Sequence, residues 1–174
     1  MAPHRLQPFR INARELLREP GLHKRVAVTL SPTELGVDDE LIVGDVTVDL
    51  TATSAIDGIG IRGVVSMPWR TNCRRCLAEV RGTAEVDVDE MYQDPRDVSV
   101  DDDAFPIEGD QIDLVPAVRE YLLLELPDDV LCRDDCAGIC PVCGTDLNAG
   151  SCACDTTVRD ERWAALDELR LDEG

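Results

Sequence analysis

Glu85-Val86-Asp87-Val88-Asp89 sets apolar and acidic residues in strict alternation. Successive side chains of a strand point to opposite faces, so this period of two turns the valines toward a core and the acids toward water. The pattern predicts a half-buried strand over residues 80–91. Working back toward the N-terminus, β-branched alternation predicts further strands over 58–67, 45–54 and 25–30, with Ile56-Asp57-Gly58 as the hairpin turn between the middle pair. Asn12-Ala-Arg-Glu15 has the form of a capping box opening a short helix that ends by Pro20-Gly21. Downstream, Asp113 is placed to cap a helix running to about Glu125, with Leu114, Val118 and Leu122 on one stripe and Pro127 as its stop. A last helix is expected over about 161–171, capped by Asp160 and carrying Trp163, Leu166 and Leu169.

These elements define an α+β fold: an antiparallel β-sheet or partly closed barrel with a few helices, and a Cys-rich zinc-knuckle segment near the C-terminus. Residues 1–126 are expected to form the α+β core domain, and 127–174 a metal-binding segment and C-terminal helix packed on it. A chain of 174 residues can bury one good-sized core. With 44% hydrophobic but only 3% aromatic residues, that core is expected to be built from Val, Leu, Ile and Ala.

Six of the eight cysteines fall in Cys132-Arg-Asp-Asp-Cys136-Ala-Gly-Ile-Cys140-Pro-Val-Cys143-Gly144 and the following Cys152-Ala-Cys154. The other two form Cys73-Arg-Arg-Cys76, in a turn between strand-like segments. Two cysteines separated by two residues can clasp one Zn²⁺ from a single tight turn, and four thiolates complete a tetrahedron. Cys140, Cys143, Cys152 and Cys154 are therefore taken as one site, with Gly144 free to adopt the positive φ that turns backbone N–H groups toward the sulfurs. By elimination Cys132 and Cys136 are left to share a second ion with Cys73 and Cys76, a pairing that requires two distant segments to meet. Disulfide staples are the alternative for an even number of cysteines. Met1 to Arg10 lacks the apolar run of a signal peptide, and no stretch is long and apolar enough for a membrane span, so the expected setting is the reducing cytoplasm. Zinc chemistry at an open coordination site is not expected, because His4 and His23, the only histidines, lie outside the clusters. The zinc is expected to be structural.

A net charge of −19 repels nucleic acid on average and favours basic protein partners. The densest acidic stretch, Glu85 to Asp110, reads as a solvated strand face and loop, and Asp101-Asp102-Asp103 lacks the alternating spacing of a calcium loop. The compact basic groups are Arg70-Thr-Asn-Cys-Arg74-Arg75 and an N-terminal set of Arg14, Arg18, His23, Lys24 and Arg25. No phosphate loop, nucleophile elbow or paired-carboxylate motif is present in the sequence.

Taken together, Glu15-Leu-Leu-Arg-Glu-Pro-Gly21, the Cys73-Arg-Arg-Cys76-Leu77 turn, Ile112-Asp113-Leu114 before a helix ending in Leu126-Pro127, and Leu131-Cys132 through Cys154 resemble the bacterial YceD family, also called domain of unknown function 177. The resemblance covers most of the chain. It implies a cytoplasmic, non-enzymatic factor that supports accumulation of large-subunit ribosomal RNA, often encoded beside a large-subunit ribosomal protein. On that basis the expected partner is a large-subunit ribosomal protein, a large-subunit rRNA precursor, or both, with Arg70, Arg74 and Arg75 as rRNA contacts and neither membrane nor small-molecule substrate. A zinc-stapled interaction module of another complex, in transcription or metal handling, is the competing class. A hydrolase or nuclease comes third.

Overall fold

The computed structural model describes residues 9–19, 21–97, 102–156 and 162. The chain divides into two compact units, one of residues Met1–Thr71 with Val80–Asp128, the other of Asn72–Glu79 with Asp129–Gly174.

The first unit is mostly β-sheet with few helices. Its elements are β1 (Arg10–Asn12), α1 (Ala13–Arg18), β2 (His23–Leu30), β3 (Val46–Ala55), β4 (Gly58–Asn72), β5 (Glu79–Gln93), β6 (Phe105–Pro106), β7 (Gln111–Asp113) and α2 (Val115–Leu124), the ends of β4 and β5 reaching the second unit. Five strands hydrogen-bond in the order β2-β3-β4-β5-β6, and β1 pairs with β7 in a two-stranded sheet. The β2–β3 and β3–β4 pairs are antiparallel, while the short β6 runs parallel to β5.

Register and hydrophobic pattern agree. Val26 lies opposite Leu50, Leu30 opposite Val46, and Val48 opposite Val65, and all six are buried. A slip of one residue would move this whole set into water, which is why alternation fixes pairing so strongly. In β5 every odd-numbered residue from Glu79 to Asp89 is exposed and every intervening one is at least partly covered. Val88 is buried and Val86 packs against the core, as the alternation requires. The two-residue turn Ile56-Asp57 closes the β3–β4 hairpin at the Ala55 and Gly58 pair.

The helices cover the same core. Asn12 caps α1, its side chain accepting from the Glu15 N–H at 3.2 Å. The cap of α2 lies one residue beyond the expected Asp113, at Leu114, because Asp113 is the last residue of β7 and its carboxylate accepts from the Val115 N–H at 2.9 Å. Leu114, Val118 and Leu122 are fully buried. Tyr92 joins these parts: its ring stacks on Phe105 with centroids 5.3 Å apart, and its hydroxyl donates to the Asp113 carbonyl at 2.9 Å. No helix among the described residues is long and apolar enough to cross a membrane. The expected helix over 161–171 lies outside the described residues.

Candidate metal centres

The second unit has a different interior. Among its described residues only Cys73, Cys136, Gly138 and Cys140 are buried, so three sulfurs and a glycine stand where an ordinary domain has aliphatic side chains. Described residues that bury so little apolar surface call for another source of cohesion. The eight thiols are gathered into two groups of four.

In the first group Cys73, Cys76, Cys132 and Cys136 come together, and in the second Cys140, Cys143, Cys152 and Cys154, with the sulfurs of each group within 4.8 Å of one another. Cys73 Sγ is 3.8 Å from Cys136 Sγ, and Cys76 Sγ is 3.5 Å from Cys132 Sγ. Ligands about 2.3 Å from a tetrahedral zinc lie about 3.8 Å apart, whereas a disulfide requires about 2.05 Å. The spacing therefore fits a metal tetrahedron, and all eight cysteines are unbridged.

Two of the four ligand segments are built alike. In the turn after β4, the Cys73 N–H donates to the Ala78 carbonyl at 2.8 Å and the Leu77 N–H to the Cys73 carbonyl at 2.9 Å. In the downstream turn the Cys140 N–H donates to the Thr145 carbonyl at 2.8 Å and the Gly144 N–H to the Cys140 carbonyl at 2.9 Å. Each ring closes only if the residue after its second cysteine is left-handed. Gly144 has φ 74° and Leu77 has φ 61°. Glycine takes that conformation freely, while a leucine is strained in it.

The segment between the groups is held from both sides. The Ile139 N–H donates to the Arg75 carbonyl at 3.0 Å, and Arg75 Nη1 donates to the Cys136 carbonyl at 3.0 Å. Gly138 has φ 78°, and a Cβ there would stand 2.9 Å from the Arg75 carbonyl oxygen. Arg74 forms an ion pair with Asp129. Thus Arg74 and Arg75, expected as rRNA contacts, each make an internal contact within the second unit; Arg70 belongs to β4 in the first.

The electrostatics are those of crowded thiols. Burial pushes Cys73 up, but N–H groups of Cys132, Cys76 and Arg75 together outweigh it and bring the thiol down to about 6. Thr145, whose Oγ1 lies 3.1 Å from Cys143 Sγ, leads the interactions that lower Cys143 to about 6. Their neighbours move the other way: Cys132 is pushed up to about 12, chiefly by Cys76, and Cys154 to about 12, chiefly by Cys143. Adjacent negative charges cannot accumulate without a cation. Each group of four sulfurs could hold a divalent ion, which would supply that charge with no ligand position left open.

Leu77, Thr145 and Asn148 are the contributors that spacing alone does not reveal. The repeated Cys-x2-Cys frame marks a turn after each second cysteine, but nothing in it singles out Leu77 as left-handed or Thr145 as a partner of Cys143. For Asn148 the sequence signal was only its place between Cys143 and Cys152.

Comparison with other proteins covers both groups. The model of the family described as large ribosomal RNA subunit accumulation protein YceD matches residues 61–170. A Mycobacterium tuberculosis protein is 31% identical over 175 residues, covering 95% of this chain and 83% of its own. The chloroplastic YCED homolog 1 of Arabidopsis thaliana, a large ribosomal RNA subunit accumulation protein, is 33% identical over 66 residues, 38% of this chain and 21% of its own. Bacillus subtilis YlbN is 33% identical over 100 residues, 56% of this chain and 58% of its own. No solved structure matches the chain.

Proposed function

The chain belongs to the YceD family of large ribosomal RNA subunit accumulation proteins, and from that premise we propose that it is a non-enzymatic ribosome biogenesis factor carrying two structural zinc sites. The observation that carries the role is the family match over residues 61–170, which takes in most of β4, all of β5 and α2, and both thiol groups. The donor set supports the structural assignment, since four cysteines fill each tetrahedron. In this reading Cys140, Cys143, Cys152 and Cys154 hold one ion, and Cys73, Cys76, Cys132 and Cys136 the other.

The partner is a large-subunit ribosomal protein, a large-subunit rRNA precursor, or both. A net charge of −19 suits a basic ribosomal protein, which it attracts over distances comparable to the screening length. Arg70, Arg74 and Arg75 are the proposed rRNA contacts. An arginine has five N–H donors, so the single bond from Arg75 to the Cys136 carbonyl leaves others for phosphate.

The test is affinity capture of the tagged chain from cells lysed at moderate salt, with sequencing of bound RNA and mass spectrometry of bound protein. Enrichment of large-subunit rRNA or large-subunit ribosomal proteins is expected. Recovery of neither, with a transcription or metal-handling complex in their place, sinks the ribosomal assignment and favours the interaction-module class.

A further inference from the structure

Asn148 lies in the turn that joins the two halves of the second thiol group, yet its side chain serves the first. Its Nδ2 donates to Cys136 Sγ at 3.5 Å and to Asp146 Oδ1 at 2.9 Å. Its Oδ1 accepts from the Ala137 N–H and from Arg133 Nη2, each at 2.8 Å. These four contacts fix the orientation of the amide. Flipped, it would set its oxygen against a sulfur and a carboxylate, and its NH₂ against two donors.

The turn that carries Asn148 is itself fixed by the second group. Its ends are Cys143 and Cys152, so an ion bound there closes it. Within the turn, the Asn148 N–H donates to Asp146 Oδ1 at 2.9 Å, the Leu147 N–H to the Gly138 carbonyl at 2.9 Å, and Asp146 bridges to Ile139. Opening the second site frees the loop ends and with them the placement of Asn148.

We propose that Asn148 is a positioning residue that couples the two metal sites, so that the first site binds its ion more tightly when the second is loaded. This rests on the reading of both thiol groups as zinc sites. The chemistry is that of an N–H donor to a ligand sulfur: it stabilises the electron-rich thiolate and orients it toward the metal. Contacts of this outer kind change metal affinity by about 10–100-fold when removed. Linkage makes the effect reciprocal, so loading the first site tightens the second by the same factor.

The experiment measures Zn²⁺ affinity in competition with a chromogenic chelator, using the full chain. Four proteins are compared: the unmodified chain, Asn148→Ala, the pair Cys152→Ser and Cys154→Ser, and the triple variant. Co²⁺ substitution counts the filled four-sulfur sites through their thiolate charge-transfer absorption, and protection of Cys73 from alkylation, read by mass spectrometry, reports loading of the first. First-site affinity is expected to fall about tenfold when the second site is disabled and by a similar factor in Asn148→Ala, with no further loss in the triple variant. First-site affinity that is unchanged by disabling the second site, or losses that multiply in the triple variant, overturns the coupling. If Asn148→Ala holds no ion, the double-serine comparison decides alone: a tenfold loss supports the coupling and an unchanged affinity overturns it. Two ions bound independently would leave the zinc assignment standing. A folded chain that takes up no Zn²⁺ would remove the sites and the coupling together.

Discussion

Leu77 shows how a single backbone angle is imposed by the closing of a hydrogen-bonded ring. Its φ of 61° carries a strain of about 1–2 kcal/mol for an L-residue, and its side chain is 62% exposed, so little packing repays it. Leu77→Gly is accordingly expected to stabilise the loaded second unit by about 0.5–1 kcal/mol, the relief being partly offset by the extra freedom glycine has when unfolded. Denaturant titration of the zinc-loaded protein checks this, and a destabilised variant would show that the leucine side chain is needed. Gly138 gives the opposite sign. Gly138→Ala adds a Cβ 2.9 Å from the Arg75 carbonyl oxygen at a φ of 78°, so a loss of about 1–3 kcal/mol is expected, read as a lower midpoint in the same titration. The sequence made Gly144 legible because glycine announces positive φ. Leu77 was not, because nothing in a leucine announces a left-handed turn until both hydrogen bonds of its ring are seen.

At the scale of elements, the long strands were legible and the short ones were not. Alternation placed β2 to β5, and β5 begins within one residue of its expected start, but β4 runs past its expected end at Met67 to Asn72, where the apolar period has faded. Three-residue β1 and β7 and two-residue β6 are too short to show any period, and their pairing is decided by the core they close over. The knuckles were legible from spacing, because each is a six-residue hydrogen-bonded ring whose cysteines sit at fixed positions. Their titration gives a prediction. Metal binding requires deprotonated ligands, while without metal Cys132 and Cys154 keep their protons up to about 12. The metal-free form therefore binds more protons than the loaded form at neutral pH, so stability conferred by zinc rises with pH and weakens as pH falls. Below about 6, Cys73 and Cys143 also take up protons and the loss steepens. Chelator competition between about pH 8 and pH 5.5 is expected to show this trend; a flat profile would contradict it.

At the scale of the whole molecule, the two units are stabilised by different physics. The first has an apolar core from Phe9 to Leu122, whereas the described residues of the second bury sulfur and a glycine. Chelation is expected to unfold the second unit while the sheet keeps its amide protons from exchange, and Leu122→Ala, in the first, is expected to cost about 2–5 kcal/mol with or without chelator. Hydrogen exchange followed by mass spectrometry separates the two, and simultaneous loss of protection in both would show them to be one cooperative block. The pairing of Cys76 with Cys132 has a further consequence for synthesis. A ribosome makes the chain from its N-terminus, so Cys76 emerges 56 residues before Cys132. Throughout that interval the first thiol group has two of its four cysteines, and a message cut short before Cys132 yields a product whose upstream thiols never find partners. The second group, contained in one short stretch, is finished almost as soon as it appears. Completion of the first thus reports that translation has reached Cys136, at the start of the cysteine-rich tail.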